Sequence, residues 1–193
     1  MILSTTAAAS RLRIRPFEAG DVERIEPRAA ARRELLALGD TAARAAMCAE
    51  AGPAFTGFCG DRLVFCAGAI ELWPGVAEGW ALVSPLVERR RVAFHRAILG
   101  LLSRHQPAWR CHRLQATVRQ GEAAAARWLS RLGFVYEGRM AGYGPDGADH
   151  LRFARILPMA PSASDAPLRA PDAGPWTYDA TTRRAVEAEL LAA

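Results

Sequence analysis

Apolar and polar residues alternate along residues 11–17, where Leu12, Ile14 and Pro16 face away from the arginines, and this period of two predicts a strand. Asp21 then stands where a helix cap is expected, and Pro27 breaks or restarts that helix before Leu38 and Gly39. Residues 54–59 and 63–72 read as the arms of a β-hairpin around Gly60-Asp61. Trp73-Pro74-Gly75 makes a second turn, and residues 79–84 form a further strand. The period lengthens to a helical one over residues 88–105, through Val92, His95, Ile98, Leu99 and Leu102. Alternation returns over residues 112–118, with Leu114, Ala116 and Val118 on one face. A helix is expected over 122–132, ended by Gly133 in the left-handed conformation. Residues 135–142 and 149–157 close the pattern as a hairpin around Gly144-Pro145-Asp146-Gly147. The order is that of an α/β layer with mixed strand directions.

The periodicity covers residues 10–157, and the chain outside it differs in composition. Residues 1–9 are expected to be a flexible N-terminus without the basic and long apolar segments of a secretory leader. Residues 158–178 hold five prolines among Ala, Ser and Asp, which reads as a semi-extended linker without its own core. Residues 179–193 then carry Asp179 and Thr181 as caps for a short helix with Val186, Leu190 and Leu191 at helical spacing.

Composition narrows the classes. The chain has 193 residues, 51% of them apolar, enough for one ordinary core and too apolar for general disorder. No apolar run approaches the roughly 20 residues that cross a bilayer, so no membrane partner and a cytoplasmic location are expected. All 25 basic residues are arginine, which together with abundant alanine reads as GC-rich coding. The net charge of +5 suits a phosphate-bearing ligand. The basic run Arg89–Arg91 with Arg96, Arg104, Arg110 and Arg113 reads as a solvated face; no set of stacking aromatics is interleaved with it, so nucleic acid is not expected. Cys48, Cys59, Cys66 and Cys111 form no Cys-x-x-Cys pair and have no metal spacing with the four histidines, so no metal is expected and the cysteines read as free thiols. A facultative bridge between Cys59 and Cys66 across their turn stays open.

Two passages resemble the GNAT superfamily of acyl-CoA-dependent N-acyltransferases. Arg13-Ile14-Arg15-Pro16-Phe17 with Asp21 is similar to the family's opening strand and helix cap, and Ala126 to Phe134 is similar to its late helix ending in Leu-Gly-Phe. The resemblance implies a mixed, mostly antiparallel central sheet with helices on both faces. It also implies acetyl-CoA as cosubstrate and a small amine or peptide amine as acceptor. The family's Arg/Gln-x-x-Gly-x-Gly/Ala loop corresponds here to Glu88 through His95: Arg90 takes the first position, Ala93 replaces the first glycine and His95 the second small residue. Arg89, Arg90 and Arg91 would then hold the pyrophosphate together with the helix N-terminus at Ala93. Backbone N–H groups of Leu82, Val83 and Ser84 would meet the thioester oxygen.

Glu122 and Leu129 occupy the places where the family often has an asparagine and a tyrosine. The tyrosine protonates the departing thiolate, and Tyr136 or Tyr143 is the substitute. The base that frees the amine is expected at Glu71 or Glu78, which flank the acceptor site. Trp73 and Trp80 bracket the same turn and would line an acceptor pocket, Trp128 belongs to the core, and Trp109 covers a helix end. A second resemblance points elsewhere. Residues 67–75 and 79–85 are similar to a phage and prophage family related to internal virion proteins, which implies a noncatalytic member of the fold with a degenerate CoA loop and a phage-protein partner. On that reading the location is the virion. A homodimer is compatible with either.

Overall fold

The computed structural model describes residues 12–105 and 111–156. The expected N-terminus, linker and C-terminal helix, with Trp109 and Arg110, lie outside the described residues.

Strand β1 (Leu12–Pro16) is followed by a one-turn helix, α1 (Asp21–Arg24). Ile25 leaves the helix into extended backbone, and Pro27 two residues on keeps the helix from continuing through this segment. Asp21 does not cap this helix by its side chain; the N-cap is Gly20, and the Asp21 carboxylate turns inward instead. Two helices follow, α2 (Ala29–Ala37) and α3 (Thr41–Glu50). The second of these was not expected from the pattern, because its alanine-rich sequence carries few large apolar markers. Its start is nonetheless well specified: Asp40 accepts the Ala43 N–H at 3.0 Å as an N-cap.

The chain then forms β2 (Ala54–Cys59), β3 (Arg62–Trp73) and β4 (Val76–Val83). β4 begins three residues earlier than expected, because Pro74-Gly75 closes a two-residue turn in which Trp73 pairs with Val76. Ser84 accepts the Leu86 N–H and opens a 3-10 turn, Pro85–Arg90, so that α4 (Arg91–His105) starts at Arg91 and not at residue 88. The buried face of α4 is Phe94, Ile98, Leu101 and His105, whereas Val92, expected on that face, is 65% exposed. After it come β5 (Arg113–Arg119), α5 (Ala123–Arg131), β6 (Val135–Met140) and β7 (His150–Ile156). Gly133 ends α5 at φ +86°, with Phe134 N–H on the Leu129 carbonyl and Gly133 N–H on that of Ser130, a Schellman closure.

The seven strands form one sheet in the order β1-β2-β3-β4-β5-β7-β6, and every described pairing is antiparallel except β4 with β5. Helices lie on both faces. Phe94, Ile98 and Leu101 of α4 and Leu129 of α5 pack with Leu114, Ala116 and Val118 of β5 and Phe65 of β3 in the larger core. Ala45 of α3, with Phe17 and Ile25, packs on Cys66 and Leu82 from the other side. Alternation along β5 therefore places Leu114, Ala116 and Val118 toward α4 and α5, and Arg113, Gln115, Thr117 and Arg119 toward the opposite face.

Candidate functional site

The single parallel pairing makes the site. β4 and β5 are joined only over Val76–Glu78 and Arg113–Gln115. Beyond that rung β4 continues to Val83 on the arm of β3, and β5 continues to Arg119 on the arm of β7, without pairing to each other. The two strands thus diverge at their carboxyl ends into a fork, the position at which open α/β sheets receive ligands. At Gly79 they are still close, since an added Cβ would stand 3.5 Å from the Gln115 carbonyl oxygen.

Backbone direction inside the fork follows from the ladder. The Ser84 N–H donates to the Val64 carbonyl at 2.9 Å, and the register between β3 and β4 is regular from Ile70–Glu78 to Phe65–Val83. Hydrogen-bonding direction alternates along an antiparallel strand, so Leu82 and Trp80 also address β3 while Gly79, Ala81 and Val83 address the fork. Of the expected backbone donors, Val83 therefore points into the fork, whereas the N–H groups of Leu82 and Ser84 face β3. Ala81, missed by the sequence reading, joins Val83. The Val83 carbonyl is already taken by the Arg28 N–H at 3.1 Å.

The mouth of the fork is basic. β4 passes through the 3-10 turn into the N-terminus of α4, whose first N–H groups have no partner within the helix. Arg89 and Arg91 are exposed there, Arg90 is half-buried, and Ala93 is exposed beside them. The Arg91 Nε donates to the Glu88 carbonyl at 3.0 Å, and Glu88 pairs with Arg28 at 3.3 Å, which ties the turn to the start of α2. His95 is half-buried with its Nδ1 atom buried and unpartnered among the described residues.

On the face away from α4 and α5, the strands beside the fork carry charge. Glu78 accepts the Thr117 hydroxyl at 3.3 Å and the Arg152 guanidinium at 3.0 Å. Arg113 clamps Glu137 with both terminal nitrogens and holds Gln115 Oε1 at 3.2 Å. Its hydrogen bonds to Glu137 raise the Arg113 pKa, and Arg113 in turn lowers that of Glu137. Farther along the same face, Arg119 grips Asp146 at 2.8 and 3.0 Å and holds its pKa down to about 2. His150 is nearly buried, with its ring nitrogens 3.1 Å from Glu34 and 3.3 Å from the Ala148 carbonyl.

The remaining expected residues are spread out. Glu71 pairs with Ala77 across β3 and β4, one position before Glu78 and on the opposite face, so the two carboxylates flank the same rung without meeting. Burial raises the Glu71 pKa, and a hydrogen bond from the Gly75 backbone opposes the shift; the side chain lines a small pocket with Gly52, Ala77 and Cys111. Tyr136 is exposed on β6, edge-on to Phe153 at 5.6 Å, two strands from β5. Tyr143 lies edge-on to His150. Trp80 packs on Phe17 at 5.3 Å in the smaller core, Trp73 is exposed, and Trp128 stacks on Phe94 at 4.9 Å. Thr117, Arg113, Arg152 and Glu137 were missed as site residues; the polar alternation of Arg113, Gln115, Thr117 and Arg119 was the available signal. Among the described residues no cluster of His, Cys, Asp or Glu could hold a metal, and no helix is long and apolar enough to cross a membrane.

No protein-family model matches the chain, and no curated protein matches it in sequence. Its three-dimensional likenesses are consistent. A GNAT-family acetyltransferase from Bacillus anthracis aligns at TM-score 0.60 with 20% identity, over 76% of this chain and 95% of the other. A Salmonella typhimurium protein solved with its cofactor acetyl-CoA aligns at 0.57 with 16% identity, over 81% and 100%. The ribosomal-protein-S5-alanine acetyltransferase of Vibrio fischeri aligns at 0.53 with 16% identity, over 76% and 93%.

Proposed function

We propose that this chain, which has the fold of the GNAT acetyltransferases, transfers an acetyl or other short acyl group from acyl-CoA to an amine. The observation that carries the reading is the fork: backbone N–H groups of Ala81 and Val83 address a gap that opens beside an arginine-flanked helix N-terminus. These groups suit the amide-rich arm, thioester and phosphates of acyl-CoA. Ala93 in place of glycine adds only an exposed methyl group at the phosphate end. When bound, acyl-CoA supplies a carbonyl activated by its thioester.

The chain's own residues do the rest. The Val83 and Ala81 N–H groups would polarise or position the carbonyl, and Arg89, Arg90 and Arg91 would hold the phosphates. Glu78, at the point where the strands part, would receive the amine on the polar face and accept its proton directly or through water. Glu71, with its raised pKa, is the second candidate base on the other side of the rung. A thiol of ordinary pKa about 8.5 leaves readily, so the missing tyrosine at Leu129 slows the reaction without forbidding it. Of the two described tyrosines, Tyr136 stands in line with Ala116 and Phe153 on the α5 face and is the candidate donor to the sulfur.

Calorimetric titration with acetyl-CoA tests this reading. Binding is expected in the micromolar range, and a triple Arg89→Ala, Arg90→Ala, Arg91→Ala variant is expected to weaken it by roughly tenfold or more, given about 1.5–3 kcal/mol for each hydrogen bond to a charged group. Absence of binding by the folded protein, or unchanged affinity in the triple variant, would overturn it. The first of these results would favour the noncatalytic virion-related reading.

A further inference from the structure

The face of the sheet beside the fork carries an ordered set of opposite charges. Glu78, Arg152, Arg113 and Glu137 lie on four neighbouring strands, two acidic and two basic, and each acid is paired to one of the bases. Glu78 and Arg152 are each only 20% exposed, so their charges are screened less than those of surface pairs. Arg152 uses Nη1 on Glu78 and Nε on the Met140 sulfur at 3.4 Å, and its Nη2 has no partner among the described residues. A guanidinium has five N–H donors, so this one retains capacity for a further acceptor beside the carboxylate that borders the fork.

From this arrangement we infer that the acceptor is a free amino acid, bound as a zwitterion with its α-ammonium on Glu78 and its carboxylate on Arg152. This inference rests on the acyltransferase reading. The two charges of an amino acid are separated by a single Cα, and the two protein groups that would meet them are themselves adjacent, with Nη1 3.0 Å from Oε2. A zwitterion matches a charge-balanced site group for group. A ligand with only a cation is different: it must share Glu78 with Arg152 and brings no anion to answer that guanidinium, while Arg113 keeps Glu137. A polyamine site would require surplus carboxylate here, and a peptide N-terminus has no carboxylate on the same Cα. Thr117 donates to Glu78 Oε1 and Arg152 to Oε2, so both oxygens of the carboxylate are held.

In the transfer, the amine nitrogen forms a bond to the acyl carbon and the carbon–sulfur bond breaks with its electron pair going to sulfur. The ammonium nitrogen loses two protons in all. One leaves through Glu78 to solvent, and one ends on the sulfur of CoA.

The test is thiol release from acetyl-CoA by the full chain, with each of the common amino acids, its methyl ester and its decarboxylated amine as acceptors. At least one free amino acid is expected to drive release, with kcat/KM at least tenfold above its own ester and amine. Arg152→Met is expected to bring that ratio close to one, and Arg152→Lys to restore part of it. Esters or simple amines that react as well as the free acids would overturn the inference, as would a failure of every amino acid in a protein that binds acetyl-CoA. The wild-type comparison stands even where the Arg152→Met variant folds poorly. Lack of acetyl-CoA binding would instead remove the acyltransferase reading, and this inference with it.

Discussion

Asp21→Ala lowers the melting temperature by roughly 10 °C, from about 3–5 kcal/mol for breaking a buried ion pair. The Asp21 side chain is only 1% exposed and accepts three hydrogen bonds: from Arg15 at 2.6 Å, from the Thr56 hydroxyl at 2.7 Å and from the Glu18 N–H at 3.2 Å. Its removal leaves a fully buried threonine hydroxyl and a half-buried guanidinium without that acceptor. The pH dependence of stability has a definite sign. Burial by itself raises the carboxyl pKa, but Thr56, Arg15 and the Glu18 amide outweigh it and hold the pKa below the usual aspartate value. The contribution is therefore fully present above the unfolded value near pH 3.9 and is lost as pH falls through the lowered folded value. Thermal unfolding of both proteins between pH 2 and 7 checks this: the alanine variant should lack that part of the acid slope. A change under about 2 °C at pH 7 would contradict the assignment. The effect bears on the site, because the β1–α1 corner leads to Arg28, whose N–H holds the Val83 carbonyl at the fork.

Ala81→Pro weakens acetyl-CoA binding by roughly tenfold or more while the fold persists, because it removes one N–H that points into the fork and none that joins β4 to β3. Leu82→Pro, one residue on, removes a ladder donor opposite Cys66 and is expected to destabilise the sheet. Calorimetry and thermal unfolding on the two variants separate these effects. Unchanged affinity in a folded Ala81→Pro protein would place acetyl-CoA elsewhere.

The hairpins, the end of α5 at Gly133 and the mixed character of the sheet were legible because each depends on residues close in sequence. Gly-Asp, Pro-Gly and Gly-Phe carry their turn chemistry locally. Asp21 was misread as a cap because its partner Thr56 is 35 residues away, beyond any local pattern. Helix α3 was missed because its sequence has no set of large apolar residues recurring at helical spacing, although its alanines favour a helix. The polar side of β5 reads, residue by residue, as a solvated face. Only the return of β7 beside β5 brings Arg152 to Glu78, across 74 positions of chain. The fork is likewise a property of topology: nothing in Gly79–Val83 states that β5 will leave β4 after three residues of pairing.

Acyl-CoA is expected to occupy the gap between β4 and β5. Amide hydrogen exchange at Ala81 and Val83, with and without saturating acetyl-CoA, reports on that gap. Both amides are expected to become strongly protected in the complex, while those of Leu82 and Ser84, already engaged with β3, change little. Bound acetyl-CoA that leaves Ala81 and Val83 exchanging at their free rates would contradict this placement.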